Sequence, residues 1–152
     1  MKALSLVLFG TLALASEPVG HSILTIPEFR VADKPAGLDI QNNQIAVTDT
    51  SAVVTFSSGA LYVGDSRHSL AFDDEGYLYL EHHAEHADKQ FTIRPQTSSG
   101  SPLKVFYKDK DTFMLCPNML IKYNGLCRGG REVSLTYEGV RKRWWRNFPF
   151  AF

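Results

Sequence analysis

The stretch from Thr112 to Cys127, TFMLCPNMLIKYNGLC, constrains the fold more than any other. It holds both cysteines of the chain, a Cys-Pro-Asn turn, two short apolar runs and an Asn-Gly pair. Apolar runs this short, bounded by turn residues, suit strands and are too brief for a stable helix. Asn124-Gly125 tolerates positive φ at successive positions, as a type I′ hairpin turn requires. The two cysteines allow one pairing, Cys116 with Cys127, and the compartment decides whether it forms.

The first fifteen residues address the compartment. Met1–Ala15 read MKALSLVLFGTLALA, with Lys2 as a positive start and an apolar run from Ala3 to Leu14. That run suits a signal peptide and falls short of the roughly 20 residues that span a bilayer. Ala13-Leu14-Ala15 fits the small-residue cleavage pattern, so the predicted cut lies between Ala15 and Ser16. No later run is long and apolar enough to be a transmembrane segment, and no apolar C-terminal tail signals a GPI anchor. The expected product is secreted, and in that oxidising setting Cys116–Cys127 is predicted to be a disulfide. On the chain-entropy model a loop of about 12 residues closed this way is worth roughly 3 kcal/mol.

The remaining chain reads as one all-β domain over residues 16–140, followed by a basic aromatic tail over 141–152. β-branched and aromatic runs recur at Ile23–Ile26, Phe29–Val31, Leu38–Ile40, Ile45–Thr48, Val53–Phe56, Leu61–Val63, Ser69–Phe72 and Tyr77–Leu80, and again at Phe91–Ile93, Leu103–Tyr107, Thr112–Leu115, Leu120–Tyr123 and Val133–Tyr137. Pro27 separates the first two, and Lys34-Pro-Ala-Gly37, Gln41–Asn43, Ser57–Gly59 and Asp73–Gly76 read as turns. Along Tyr77–Leu80 the period of two puts Leu78 and Leu80 on one face and both tyrosines on the other. Short strands with turn signals every 8 to 12 residues or so predict a compact antiparallel sandwich or barrel. Ser58–Val63 echoes Ser99–Val105 at a spacing near 40, which keeps a β-trefoil as the alternative.

Chemistry-bearing clusters are few. Sixteen basic residues balance sixteen acidic ones, so charge gives no case for a nucleic-acid partner. His82-x-x-Glu85-His86 matches a zinc-peptidase pattern, which needs both histidines on one face of an anchored helix. Here the segment lies between two strands, so a solvated polar loop is expected and no metal or cofactor is assigned; His82, Glu85 and His86 remain the candidates if a metal-dependent hydrolase or oxidase were at work. Asp73-Asp-Glu75 lacks the spaced ligands of a calcium loop. In the tail, Lys142-Arg143 is a dibasic pair of the kind secretory proteases cut.

The order of elements resembles the fungal phialide-type cell wall protein family. Phe29-Arg-Val31 resembles its opening strand, Gly59-Ala-Leu-Tyr-Val63 with Leu70–Asp73 and Gly76 its next section, and Phe91-Thr-Ile93 a later strand. Phe113-Met-Leu-Cys-Pro-Asn118, followed by Leu120–Tyr123 and Cys127, resembles the family's Cys-Pro-Asn element and second cysteine. Leu115 stands where the family has alanine, its additional N-terminal cysteines are absent, and the tail has no counterpart. The resemblance implies a secreted, non-enzymatic structural protein of the cell wall, associated with wall polysaccharide or wall proteins, and brings no catalytic residues. A secreted effector or carbohydrate-binding module is the alternative. Strand aromatics such as Tyr62, Tyr77 or Tyr79 are the candidates for stacking on sugar rings.

Overall fold

β1, Ser22–Val31, is the strand on which the others hang. In a computed structural model, which describes residues 21–64, 67–96 and 102–140, its first half pairs with two antiparallel neighbours at once. Those are β4 (Val53–Ser57) and β13 (Thr136–Gly139), while its second half pairs with β2 (Lys34–Gln41). The predicted signal peptide and its Ala15–Ser16 cut, and the tail with Lys142-Arg143, lie outside the described residues.

The sequence splits β1 at Pro27, yet the strand is continuous with a bulge there. Ile26 faces Ala36 and Arg30 faces Pro35, so Pro27, Glu28 and Phe29 lie outside the ladder. A proline has no N–H to donate, so a bulge is where a strand can hold one. Lys34–Gly37, expected as a turn, instead lies in β2, and the reversal falls at Ala32-Asp33, with φ of 49° and 62°.

Ten strands make one antiparallel sheet, in the order β7-β6-β5-β4-β1-β13-β9-β8, with β2 and β3 branching from β1. Here β3 is Gln44–Thr48, β5 Ala60–Val63, β6 Ser69–Phe72, β7 Leu78–Glu81, β8 Phe91–Pro95 and β9 Leu103–Tyr107. A second sheet is small: β10 (Phe113–Leu115) between β11 (Ile121–Lys122) and β12 (Arg131–Val133). The one helical element among the described residues is a single 3₁₀ turn, Ala84–His86. The chain is therefore all-β, with two antiparallel sheets packed in the manner of a sandwich. The strand order shows no threefold repetition, which the trefoil alternative needs.

The period of two holds where the sequence is most regular. Leu24 and Ile26 of β1 are fully buried, and in β7 Leu78 and Leu80 are buried while Tyr79 is exposed. Burial of each such aliphatic side chain is worth about 1.5–3 kcal/mol. Between the sheets lies an aromatic cluster. Phe72 stacks on Phe113 at 6.0 Å between centroids, and meets Tyr107 at 4.4 Å and Tyr123 at 4.9 Å. Phe91 adds a further contact to Tyr107 at 5.0 Å.

The Thr112–Cys127 stretch forms two strands of the small sheet and is not the centre of the fold. Its disulfide is present: Cys116 and Cys127 are bonded, with Cα atoms 5.7 Å apart. The Asn124-Gly125 hairpin does not form. Only Gly125 of the pair has positive φ, and no strand follows until Arg131. Instead, the Asn124 amide lies against Gly76, where a Cβ would come within 1.7 Å of Asn124 Oδ1. Tyr123 N–H donates to Gly76 O at 3.0 Å and Tyr77 bridges to Lys122, so this contact seams the small sheet to the start of β7.

Candidate binding cleft at the edges of β3 and β7

β3 pairs only with β2, and β7 only with β6 among the strands of the large sheet. Their outer edges face each other without a hydrogen-bonded ladder, and an open cleft of about 490 Å³ lies there. Asn43, Gln44 and Ile45 line one side; Asp73 and Tyr77–Leu80 line the other, with Leu120 reaching in from the small sheet.

Local chemistry explains the walls. Asn42 and Asn43 take φ of 52° and 60° in the tight β2–β3 turn, a conformation asparagine tolerates. That turn carries the amides of Asn43 and Gln44 to the rim. On the other side, Asp73 Oδ1 accepts the Tyr77 N–H at 2.8 Å, and Gly76 N–H donates to Asp73 O at 2.9 Å. The acidic turn is thus a tight reversal that aims Tyr77 and Tyr79 away from the leucine face.

Tyr79 is 38 % exposed and its hydroxyl donates to Glu81 Oε2 at 3.0 Å. Partial burial raises the Tyr79 pKa, and the bond to Glu81 raises it further. The Glu81 pKa is lowered, first by the backbone N–H of His83, which donates to Oε1 at 2.9 Å. Tyr79 accordingly remains a neutral ring and Glu81 a carboxylate at neutral pH. Lys122 Nζ lies 4.9 Å from the centroid of the Tyr77 ring, which leaves a cation beside the cleft.

An aromatic surface edged by amides and a carboxylate is the chemistry that holds a sugar. Ring faces take up the C–H side of a pyranose, and amides and carboxylates meet its hydroxyls. Of the three strand tyrosines named from the sequence, Tyr77 and Tyr79 line the cleft and Tyr62 does not; it lies half-buried on β5 between Thr55 and Ser69. That Asn43, Gln44 and Leu120 share a cleft with these tyrosines has no sequence signal, because two unpaired edges meeting across a cleft is a tertiary event.

The histidine segment assembles differently. His82 packs edge-on against His68 at 4.6 Å, while His83 sits 5.6 Å from His86 and its Nδ1 is 3.7 Å from Glu85 Oε1. The residues of the 3₁₀ turn are not buried. Among the described residues no three His, Cys, Asp or Glu side chains form a group that could hold a metal ion, so His82, Glu85 and His86 are not brought into one.

A second hollow, of about 250 Å³, is lined by Glu28, Lys104, Thr112, Glu132 and Ser134. Two of its polar contacts are already made: Glu28 accepts from Ser134 within the lining, and Lys104 Nζ donates to Asp111 at 3.2 Å outside it.

No family model matches the chain, and neither the curated proteins nor the solved structures include one significantly similar to it.

Proposed function

We propose that this chain is a secreted, non-enzymatic protein that associates with cell wall polysaccharide, and that the β3/β7 cleft is its contact surface. The observation that carries the reading is the pairing of an exposed Tyr79 with the amide rim of Asn43 and Gln44 in one open cleft. The signal-peptide pattern of Met1–Ala15 and the Cys116–Cys127 staple support an extracellular setting. The resemblance of the Phe113–Asn118 element to fungal wall proteins supports the wall as the location.

The experiment is a pull-down of the purified protein on insoluble chitin and β-glucan, with Tyr79→Ala beside the wild type. Loss of one stacking ring should weaken binding roughly three- to tenfold. Equal retention of both proteins, or of neither, would sink the assignment. Fractionation of the producing cells tests the location: recovery in the wall pellet agrees with the proposal, whereas recovery only in the medium favours a carbohydrate-binding effector that uses the same cleft elsewhere.

A further inference from the structure

We propose that Asn124 is a site of self-modification: its side-chain amide is converted to a carboxylate through the backbone of Gly125, and the new charge loosens the seam between the small sheet and β7. The chemistry is independent of what the cleft binds.

In the reaction the Gly125 backbone nitrogen loses its proton and attacks Cγ of Asn124. A new C–N bond closes a cyclic succinimide, and the side-chain nitrogen leaves with the proton as ammonia. Water then adds to one of the two ring carbonyls and breaks its C–N bond. Opening at the side-chain carbonyl gives aspartate, and opening at the main-chain carbonyl gives isoaspartate. Water is the one co-reactant consumed.

The fold leaves this pair open to the reaction. Gly125 carries no side chain to block the attack, and chain neighbours aside, only the Lys122 side chain lies within 4 Å of where its Cβ would be, with Nζ at 3.5 Å. That cation favours the amide anion that must form. Both residues are exposed, so water reaches the ring. Among the described residues the Gly125 N–H donates to no backbone carbonyl, and the Asn124 amide meets Gly76 by contact without a hydrogen bond. Turning the amide toward Gly125 therefore breaks no bond. Asn118 differs on both counts: its Oδ1 accepts the Leu120 N–H at 3.2 Å, and Met119, with a side chain, follows it.

The product lands at a sensitive place. Asp73, Asp74 and Glu75, all exposed, directly precede Gly76. A carboxylate in place of the Asn124 amide meets like charge there, with Lys122 as the nearby cation to offset part of it. Isoaspartate also lengthens the backbone of the loop by one carbon. Either product strains the bond from Tyr123 N–H to Gly76 O, at 3.0 Å, and the bridge from Tyr77 to Lys122. Tyr77 lines the cleft, so its wall loosens with the seam.

The test holds the purified full-length secreted protein at about 37 °C and about pH 8 for days, folded and in parallel unfolded in urea, and maps its peptides by mass. The peptide with Asn124 should gain about one mass unit in the folded protein, at a rate within about tenfold of the unfolded one, while the other described asparagines stay unchanged. Asn124→Gln, whose longer side chain closes the ring far more slowly, should keep its mass. A folded rate more than about tenfold lower shows that the Gly76 contact holds the amide out of reach, and overturns the site. The modified fraction, separated by anion exchange, should melt a few degrees below the unmodified one, and Asn124→Asp should shift in the same direction. Equal melting of the two fractions overturns the loosening of the seam.

Discussion

The carboxylate of Glu28, displaced from the β1 ladder by the Pro27 bulge, accepts both donors of Ser134. The Ser134 N–H reaches Oε2 at 3.1 Å and its hydroxyl reaches Oε1 at 2.5 Å. Ser134 is only 7 % exposed and links β12 to β13, so the contact ties the main strand of the large sheet to the exit of the small one. Glu28→Ala would leave two poorly hydrated donors without a partner. The expected loss is roughly 1–2 kcal/mol of stability, read from urea denaturation at unchanged m-value. Glu28→Gln keeps an acceptor oxygen and should lose less.

The disulfide offers a second stability test. It closes the turn from Cys116 to Cys127 at the end of the small sheet, whose strands are two and three residues long. Strands this short contribute few ladder bonds of their own. Cys116→Ser should cost about 2–4 kcal/mol, seen as a lower melting temperature that reductant no longer changes. A wild type whose melting is insensitive to reductant would contradict it.

At Gly76 the backbone takes φ +87°, and the Asn124 amide fills the space a Cβ needs. Gly76→Ala should destabilise by roughly 2–3 kcal/mol, from left-handed strain plus the displaced amide. The double variant Gly76→Ala, Asn124→Gly should recover part of that loss, since only the steric share is removed. Additive single effects in the cycle would show that the two residues do not couple.

These contacts mark how far the sequence could be read. Strand positions and faces come from local patterns, and so Tyr77 and Tyr79 opposite Leu78 and Leu80 are legible. Register and hub are not. β1 owes one of its three partners, β13, to pairings with residues more than a hundred positions away at Thr136–Gly139. Turn chemistry misleads where a tertiary contact wins. Lys34-Pro-Ala-Gly37 has turn composition, yet the reversal sits at Ala32-Asp33, and Gly37 serves the close passage of Thr50 and Ser51. Asn124-Gly125 reads as a hairpin, but the asparagine is worth more against Gly76. The cleft is half legible: its tyrosines lie on a recognisable strand and Asn43 and Gln44 at a recognisable turn, while the approach of β3 to β7 across the cleft is encoded by no local signal.

Ser69 Oγ is fully buried and has no hydrogen-bond partner among the described residues. A buried hydroxyl that loses water without gaining a partner opposes folding. Ser69→Ala should therefore be neutral or stabilise by up to about 1 kcal/mol, in contrast to most core substitutions. A clear loss of stability in thermal unfolding would place an unseen partner at that hydroxyl.

Tyr107 gives the molecule an alkaline limit. Its hydroxyl donates to Asp88 Oδ2 at 2.6 Å, and the residue is 2 % exposed within the aromatic cluster. Burial first, then the bond to Asp88 and its negative charge, push the Tyr107 pKa well above the usual 10.0. The folded state thus holds this proton more tightly than the unfolded chain. Its contribution is fully present below pH of about 10 and is lost as pH rises from there through the folded value. Stability followed across the alkaline range should fall more steeply for the wild type than for Tyr107→Phe, which keeps the ring and removes the titrating group. At neutral pH the order reverses: Tyr107→Phe should be less stable by roughly 1 kcal/mol, because Asp88 loses its donor. Parallel alkaline limbs for the two proteins would show that Tyr107 does not set the limit.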